Sequence, residues 1–382
     1  MKTTALLLLV ILAVSTGLPY LYGYQAWRTV AADEFHFGVT YGFNTTEEAK
    51  LLIDKVKDYT DLFVVDSWDV ATNETMLNEI CEYAANAGLK VIVYFDLISG
   101  TAYPELSAYP WHKDWLVTAK SRWGDKFLGI YLHDELGGKQ LEEKLFFENA
   151  SDYSDAANRF VANLTNYPSN QFAKNNNIPL FIADFGLYWW DYLGGYDTVF
   201  VELGWNHNTT QQIAFCRGAA NMQGKDWGAI IVWKEYRSPY LGSKKEVFDD
   251  MLAAYTAGAK YVVVFNHPRY PESNPYGVLA EEHFEAMKEF HDYVRLHPRY
   301  VYGRLESRVA FVLPKDYGWG ARRIDDNIWG LWPADGKAQL IWKNMNTLTE
   351  KYGFELDIVF DDTKFPVEEK YGRVYFWNET IL

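Results

Sequence analysis

From Phe35 onward, short apolar runs alternate with longer stretches whose apolar residues recur at helical spacing. The runs are "FHFGVTY", "LFVVDSW", "KVIVYFD", "FLGIYLHDE", "PLFIADFG", "TVFVELGW", "WGAIIVWKEY" and "YVVVFNHP". Their β-branched and aromatic content reads as strands buried on both faces. Between the first two, "TEEAKLLIDKVKDY" places Ala49, Leu52, Ile53 and Val56 on one helical face. "MLNEICEYAANAGLK" repeats the device, with Gly88 as its stop, and "FDDMLAAYTAGAK" does so ahead of the eighth run. Strand–helix repetition implies a parallel sheet, and eight repeats imply a closed (β/α)8 TIM barrel. An open doubly wound sheet fits less well, because no glycine-rich phosphate loop follows the first run.

The pattern changes after Pro298. "RVAFVLP" reads as a strand, "AQLIWKNMNTLTEKYG" as a helix stopped by Gly353, and "FELDIVFDD" and "RVYFW" as two further strands. The expected organisation is an α/β barrel over 33–298 and a smaller C-terminal α/β domain over 305–382. Before them, 1–23 reads as a signal peptide or N-terminal membrane anchor, with Lys2 ahead of the apolar run "ALLLLVILAV" (Ala5 to Val14). Pro19 and Gly23 interrupt a continuous helix, which favours a cleaved signal over an anchor. Export agrees with six N-glycosylation triplets, at Asn44, Asn73, Asn149, Asn163, Asn208 and Asn378.

Composition narrows the function. With 382 residues, 49% of them hydrophobic and 17% aromatic, the chain has ample core material. A formal charge of −15 and the lack of a Lys/Arg block argue against nucleic acid as a partner. Cys81 and Cys216 are the only cysteines, and their spacing matches no zinc motif.

Candidate chemistry gathers at the ends of the runs, where barrel enzymes place their sites. Alternation along the fourth run turns Tyr131, His133 and Glu135 inward and Ile130 and Leu132 outward. The same parity aims Tyr94 and Asp96, Asp184, Glu202, and Trp233 with Glu235 at one mouth. Asp66 and Asn266 or His267 complete the rim. Several acids at one end of successive strands are not explained by packing, since unpaired buried carboxylates are costly. Some of them can pair with Arg217, Lys234 or Arg237, or simply face solvent. Trp189, Trp190, Trp205 and Trp233, with Tyr188, Tyr236 and Tyr240, cluster near the same strand ends. Aromatic faces suit the C–H surfaces of sugars, although core packing is the ordinary fate of any one tryptophan.

This ordered pattern, with Glu135 ending the fourth run and Glu235 ending the seventh, resembles the retaining barrel glycoside hydrolases with glutamates on those strands. The resemblance implies a carbohydrate substrate, no organic cofactor and no metal, with Glu135 as general acid/base and Glu235 as nucleophile. Glu202 is the substitute partner, because other barrel glycosidases pair acids from strands four and six. Asp66, Asp96, Tyr131, His133, Asp134, Asp184, Trp205, Trp233 and Asn266 are the expected substrate contacts. Asp134 departs from the family pattern, which has asparagine there. The C-terminal domain resembles the amidotransferase-like domains of some barrel glycosidases. It contains no cysteine, which excludes glutaminase chemistry through a thiol. Its "GWGARR" is a candidate rim loop, with a stabilising cap as the more ordinary role.

Two other classes compete. A metal hydrolase would draw on His133, Asp134, His207 and His267, but no HExxH helix is present. A non-catalytic glycan-binding or surface-layer barrel would keep the aromatic platform without needing opposed acids. Oligomeric state has no signal in the sequence.

Overall fold

A computed structural model describes residues 34–95, 111–268 and 274–381. Eight parallel strands close in sequence order: β1 His36–Tyr41, β2 Leu62–Val65, β3 Lys90–Tyr94, β4 Phe127–Asp134, β5 Leu180–Asp184, β6 Thr198–Leu203, β7 Asp226–Ile231 and β8 Tyr261–Val264. β8 pairs back onto β1, with His36 opposite Tyr261, so the sheet has no edge. The fold is the (β/α)8 TIM barrel that the alternation predicts.

The two faces of each strand bury different partners. Leu62, Val64, Ile92, Phe181, Phe200, Ile230, Tyr261 and Val263 fill the barrel interior. Ile130, Leu132, Ile182, Val199 and Val201 join the layer between strands and helices. Local signals set the helix starts. Thr45 caps the helix Thr46–Val56 through Glu48 N, and Asn73 caps Glu74–Asn86 through Met76 N. Asn208 does the same for Thr209–Gln223. All six sequon asparagines are exposed.

Past the barrel, β9 Val309–Leu313, β10 Leu356–Phe360 and β11 Arg373–Phe376 form a parallel sheet in the order β10-β9-β11, crossed by the helix Gly336–Tyr352. A buried ion pair binds this sheet to the barrel. Arg217 Nε donates to Asp357 Oδ1 at 2.7 Å, and its Nη2 donates to the Phe354 and Leu356 carbonyls. Asp357 also accepts from Asn221, Ser307 and Tyr371, so the buried charge is fully hydrogen-bonded. Trp189 and Trp190, read from the sequence as part of the mouth, belong to this joint instead. Both are buried, Trp190 against Trp329 and Phe360, and Trp189 against Phe360 and Phe365. Cys81 and Cys216 are buried free thiols.

Candidate active site

The site is built where β4 ends. After an earlier irregularity against β3 between Phe127 and Gly129, strand alternation runs from Ile130 to Leu132 and then breaks again. The register with β5 shifts between Tyr131 and Asp134, and His133 takes a left-handed backbone, φ 68°. This bulge adds a residue and reverses the facing of the positions after it. His133, expected to point inward, turns out toward the helices, where its Nδ1 lies 2.6 Å from the Tyr196 hydroxyl and its ring packs on Tyr167. Burial drives its pKa down to about 3, so the imidazole is neutral. Asp134 lands where it accepts a 2.7 Å hydrogen bond from the inward Tyr131.

Glu135 comes next, also left-handed (φ 54°, ψ 36°), and opens the helix Leu136–Glu143. Such a conformation costs a non-glycine residue about 1–3 kcal/mol and is held by its surroundings. Two features hold it. Glu135 N donates to Ala183 O at 2.9 Å. Behind it, the Asp184 carboxylate accepts from Gly137 N (2.5 Å), Gly138 N (2.8 Å), Phe185 N (2.7 Å) and Gly186 N (3.1 Å). An anion at a helix N-terminus, bonded to its free amides, fixes the direction from which the helix leaves the strand. The glycines make the approach possible. A Cβ on Gly138 would lie 2.1 Å from the Phe185 ring, and one on Gly137 2.4 Å from Gly186 O.

Asp184 is therefore not a substrate contact. Phe181 and Ala183 face the barrel interior, which leaves Asp184 on the opposite face, fully buried. Asp191 is buried beside it, with neither oxygen hydrogen-bonded at ordinary geometry. Burial raises both carboxyls, Asp184 to about 7 and Asp191 well above its usual range. Four amide donors favour the anion at Asp184, so the proton of this pair stays on Asp191.

The carboxyl that meets Glu135 is that of Glu202. Glu202 shares the inward face of β6 with Phe200, is buried, and lies within hydrogen-bonding reach of Glu135. Desolvation, then repulsion from neighbouring acids, raises Glu135 to about 7 and Glu202 well above the carboxylate range. Lys139, one helical turn on, stands 3.5 Å from Glu135 Oε2 and 3.3 Å from Asp134 Oδ2. Trp205 Nε1 donates to Glu202 Oε2 at 3.4 Å, from a loop in which Trp205 and Asn206 are both left-handed.

Glu235 is placed elsewhere. β7 ends at Ile231, and the chain then folds into a tight loop in which Lys234 N and Glu235 N both donate to Tyr240 O. Interior facing belongs to Ile230 and Val232, so the parity expected for Trp233 and Glu235 is offset by one residue. Glu235 is exposed on this loop. Trp233 packs against Tyr240, Phe265 and His267. Asp66 is half-buried at the end of β2, close enough for its charge to act on Tyr131. Asn266 is buried, and its side-chain amide has no hydrogen-bond partner among the described residues. Asp96 lies outside the described residues.

A cleft of about 610 Å³ opens at Glu135, lined by Glu135, Lys139, Glu142, Glu143, Phe185, Trp205, Asn206, His207, Tyr236, Arg322 and Arg323. Tyr236 is 85% exposed and pairs with Trp205 at 4.9 Å between ring centroids. The arginines come from the C-terminal "GWGARR" loop. Arg322 bonds Glu142 at 2.6 Å and stacks on Phe185 at 4.9 Å, joining that loop to the helix behind Glu135. Sequence reasoning missed Lys139, although its i,i+4 spacing from Glu135 is a legible signal. Nothing in the sequence marks which arginines return to the mouth from about 190 residues away. Among the described residues, no three His, Cys, Asp or Glu side chains gather to hold a metal ion.

No protein-family model matches the chain, and no curated protein matches it. Solved structures similar to it include the endo-1,4-β-mannanase from Rhizomucor miehei, 12% identical over 69% of this chain and 95% of its own, with a TM-score of 0.45. The endo-α-mannosidase from Bacteroides thetaiotaomicron is 11% identical over 70% and 99%, at 0.46. A 3-hexulose-6-phosphate synthase is 16% identical over 68% and 99%, at 0.35. Likeness at this level decides nothing about the chemistry of this chain.

Proposed function

We propose that the protein is a glycoside hydrolase whose acid pair is Glu135 and Glu202. The observation that carries this reading is the adjacency of these two carboxyls, pushed upward by burial, with Glu135 lining a cleft faced by aromatic rings and Glu202 buried next to it. Glycosidic cleavage needs one protonated and one ionised carboxyl on the same bond. Two acids within hydrogen-bonding reach cannot both ionise readily, so the pair holds one proton near neutral pH. Lys139 favours the charge on Glu135, and deeper burial favours the proton on Glu202.

In this mechanism Glu202 donates its proton to the glycosidic oxygen while the Glu135 carboxylate attacks the anomeric carbon, and the leaving alcohol departs. Water then attacks the glycosyl–Glu135 ester, returns a proton to Glu202 and releases the sugar. Retention is the stereochemical outcome this two-step route requires. These roles reverse the one expected for Glu135 and replace Glu235 by Glu202. Tyr236 and Trp205 supply the platform on which a sugar ring stacks. Export and N-glycosylation belong to the same reading and are supported by the exposure of all six sequon asparagines.

The test is a panel of oligosaccharides and aryl glycosides, with Glu135→Ala, Glu202→Gln and Glu235→Gln alongside the wild type. Loss of at least about a hundredfold in kcat is expected for the first two and little change for the third. Added azide should restore aryl glycoside cleavage in Glu135→Ala. Undiminished turnover in Glu202→Gln would refute the pair. Binding without turnover across the panel, unchanged in the variants, would favour a non-catalytic glycan-binding barrel.

A further inference from the structure

One charged pair beside Glu135 takes no direct part in the proposed chemistry. Tyr131, buried on the inward face of β4, donates to Asp134 Oδ1 at 2.7 Å. Burial, then the charge of Asp134, keeps the Tyr131 hydroxyl protonated, so it remains a donor. The other oxygen, Asp134 Oδ2, lies 3.3 Å from Lys139 Nζ, which also donates to the Asp134 carbonyl at 2.8 Å. From this double hold the ammonium stands 3.5 Å from Glu135 Oε2. A free lysine side chain samples many rotamers, and one already tied at two points loses little more on meeting a second carboxylate. Asparagine at 134, the residue of the family pattern, would keep the carbonyl contact but not the ion pair. The aspartate therefore supplies what holds a cation in place.

The other charges around Glu135 do not single it out as the ionised acid. Asp184 on β5 and Asp134 on β4 repel charge on Glu135 and on Glu202 alike. Across the cleft, Arg322 is bonded to Glu142 and Arg323 to Asp326, and Glu143 is exposed. Lys139 supplies the ion pair to Glu135. Resting on the acid pair of the proposed function, we infer that Asp134, braced by Tyr131, fixes the Lys139 ammonium beside Glu135 and so directs the negative charge of the pair to that carboxyl. Both are positioning residues, acting through Glu135 rather than on the sugar. Their charges act on Glu135 with opposite sign. Asp134 disfavours ionisation of both acids and keeps one proton on the pair to higher pH, while Lys139 decides which carboxyl is without it. The Lys139 and Asp134 side chains are 29% and 35% exposed, so solvent weakens both effects without cancelling them.

Double-mutant cycles read these charges without relying on turnover. The rise in melting temperature produced by Glu135→Gln at pH 8 is measured in the wild type and in Lys139→Met, Lys139→Arg and Asp134→Asn backgrounds. Losing the ammonium makes the Glu135 anion more costly, so the rise should be about 2 °C larger in Lys139→Met. Lys139→Arg keeps the cation and should stay near the wild-type value. Losing the Asp134 charge makes the anion less costly, so the rise should shrink by a similar amount in Asp134→Asn. At pH 4.5, where folded Glu135 is protonated, the backgrounds should agree. On a cleaved aryl glycoside, the acid limb of kcat/KM should move up by on the order of one pH unit in Lys139→Met and down in Asp134→Asn. Loss of structure alone does not produce opposite shifts from two neighbours. Equal rises in all backgrounds overturn the inference, as do limbs that move in the same direction. Undiminished turnover in Glu202→Gln removes the acid pair itself, whereas equal rises with an inactive Glu202→Gln remove only the role given to Asp134 and Lys139.

Discussion

Glu135 combines three unfavourable conditions: a left-handed backbone, burial, and a second carboxyl within reach. Each costs stability, and together they define what a substitution should do. A carboxyl with a folded pKa near 7 and an ordinary value of 4.5 binds its proton more tightly when folded. Its contribution is therefore fully present below about 4.5 and is lost as the pH rises through 7. Glu135→Gln, which cannot ionise, should melt higher than the wild type at pH 8, by on the order of 2 kcal/mol, and the gap should shrink toward pH 4.5. Thermal melts across this range measure it. A gap that widens toward acid would show that folding lowers rather than raises the Glu135 pKa and would undercut the close approach of a second carboxyl. The candidate acid itself is visible in the sequence as a strand-end glutamate. Its partner is visible only as the less favoured alternative, because preferring Glu235 requires β7 to run four residues further than it does.

At the scale of elements, the junction between β4 and the helix Leu136–Glu143 places Glu135. The bulge at His133, the amide cradle of Asp184 and the absence of side chains at Gly137 and Gly138 are parts of one device. Gly138→Ala should be more damaging than its size suggests, since its methyl would enter the Phe185 ring. A loss of roughly 1–3 kcal/mol in chemical denaturation is expected, with the helix displaced and turnover reduced. Asp184→Asn keeps the shape but removes the anion that binds four amides. It should lower kcat more than it raises KM if the cradle positions Glu135. Equal change in both, or in neither, would leave Asp184 a purely structural group. Periodicity indicates that β4 ends in polar groups, but an extra residue in the ladder leaves no periodic trace, so His133 and Asp134 exchange their expected facings.

For the molecule as a whole, the C-terminal unit lines the candidate cleft as well as packing on the barrel. It reaches the mouth through Arg322 and Arg323 and is fastened near the other end by Arg217 and Asp357. Breaking the fastening should expose the dependence. Asp357→Ala leaves a buried guanidinium without its partner and should cost about 3–5 kcal/mol, lowering the melting temperature of barrel and C-terminal unit together. Two separated transitions, with the barrel unaffected, would mean that the units are energetically independent. Trp189 and Trp190 belong to the same joint, which is why sequence neighbours of the mouth are absent from it.

What the sequence by itself determined is whatever depends on local period and composition: eight buried strands with intervening helices, hence a closed parallel barrel, and a trailing smaller α/β unit. It also determined which end of each strand gathers acids, because β4 and β6 finish in them. Only the tertiary structure decided which acids meet. Whether a side chain at a strand tip faces the cavity depends on where pairing stops and whether a bulge intervenes, and both are set by the neighbouring strand. The cation beside Glu135 lay within local range, but the arginines across the cleft did not. Their placement arises from chain segments about 190 residues apart packing together, and no short stretch of sequence encodes that.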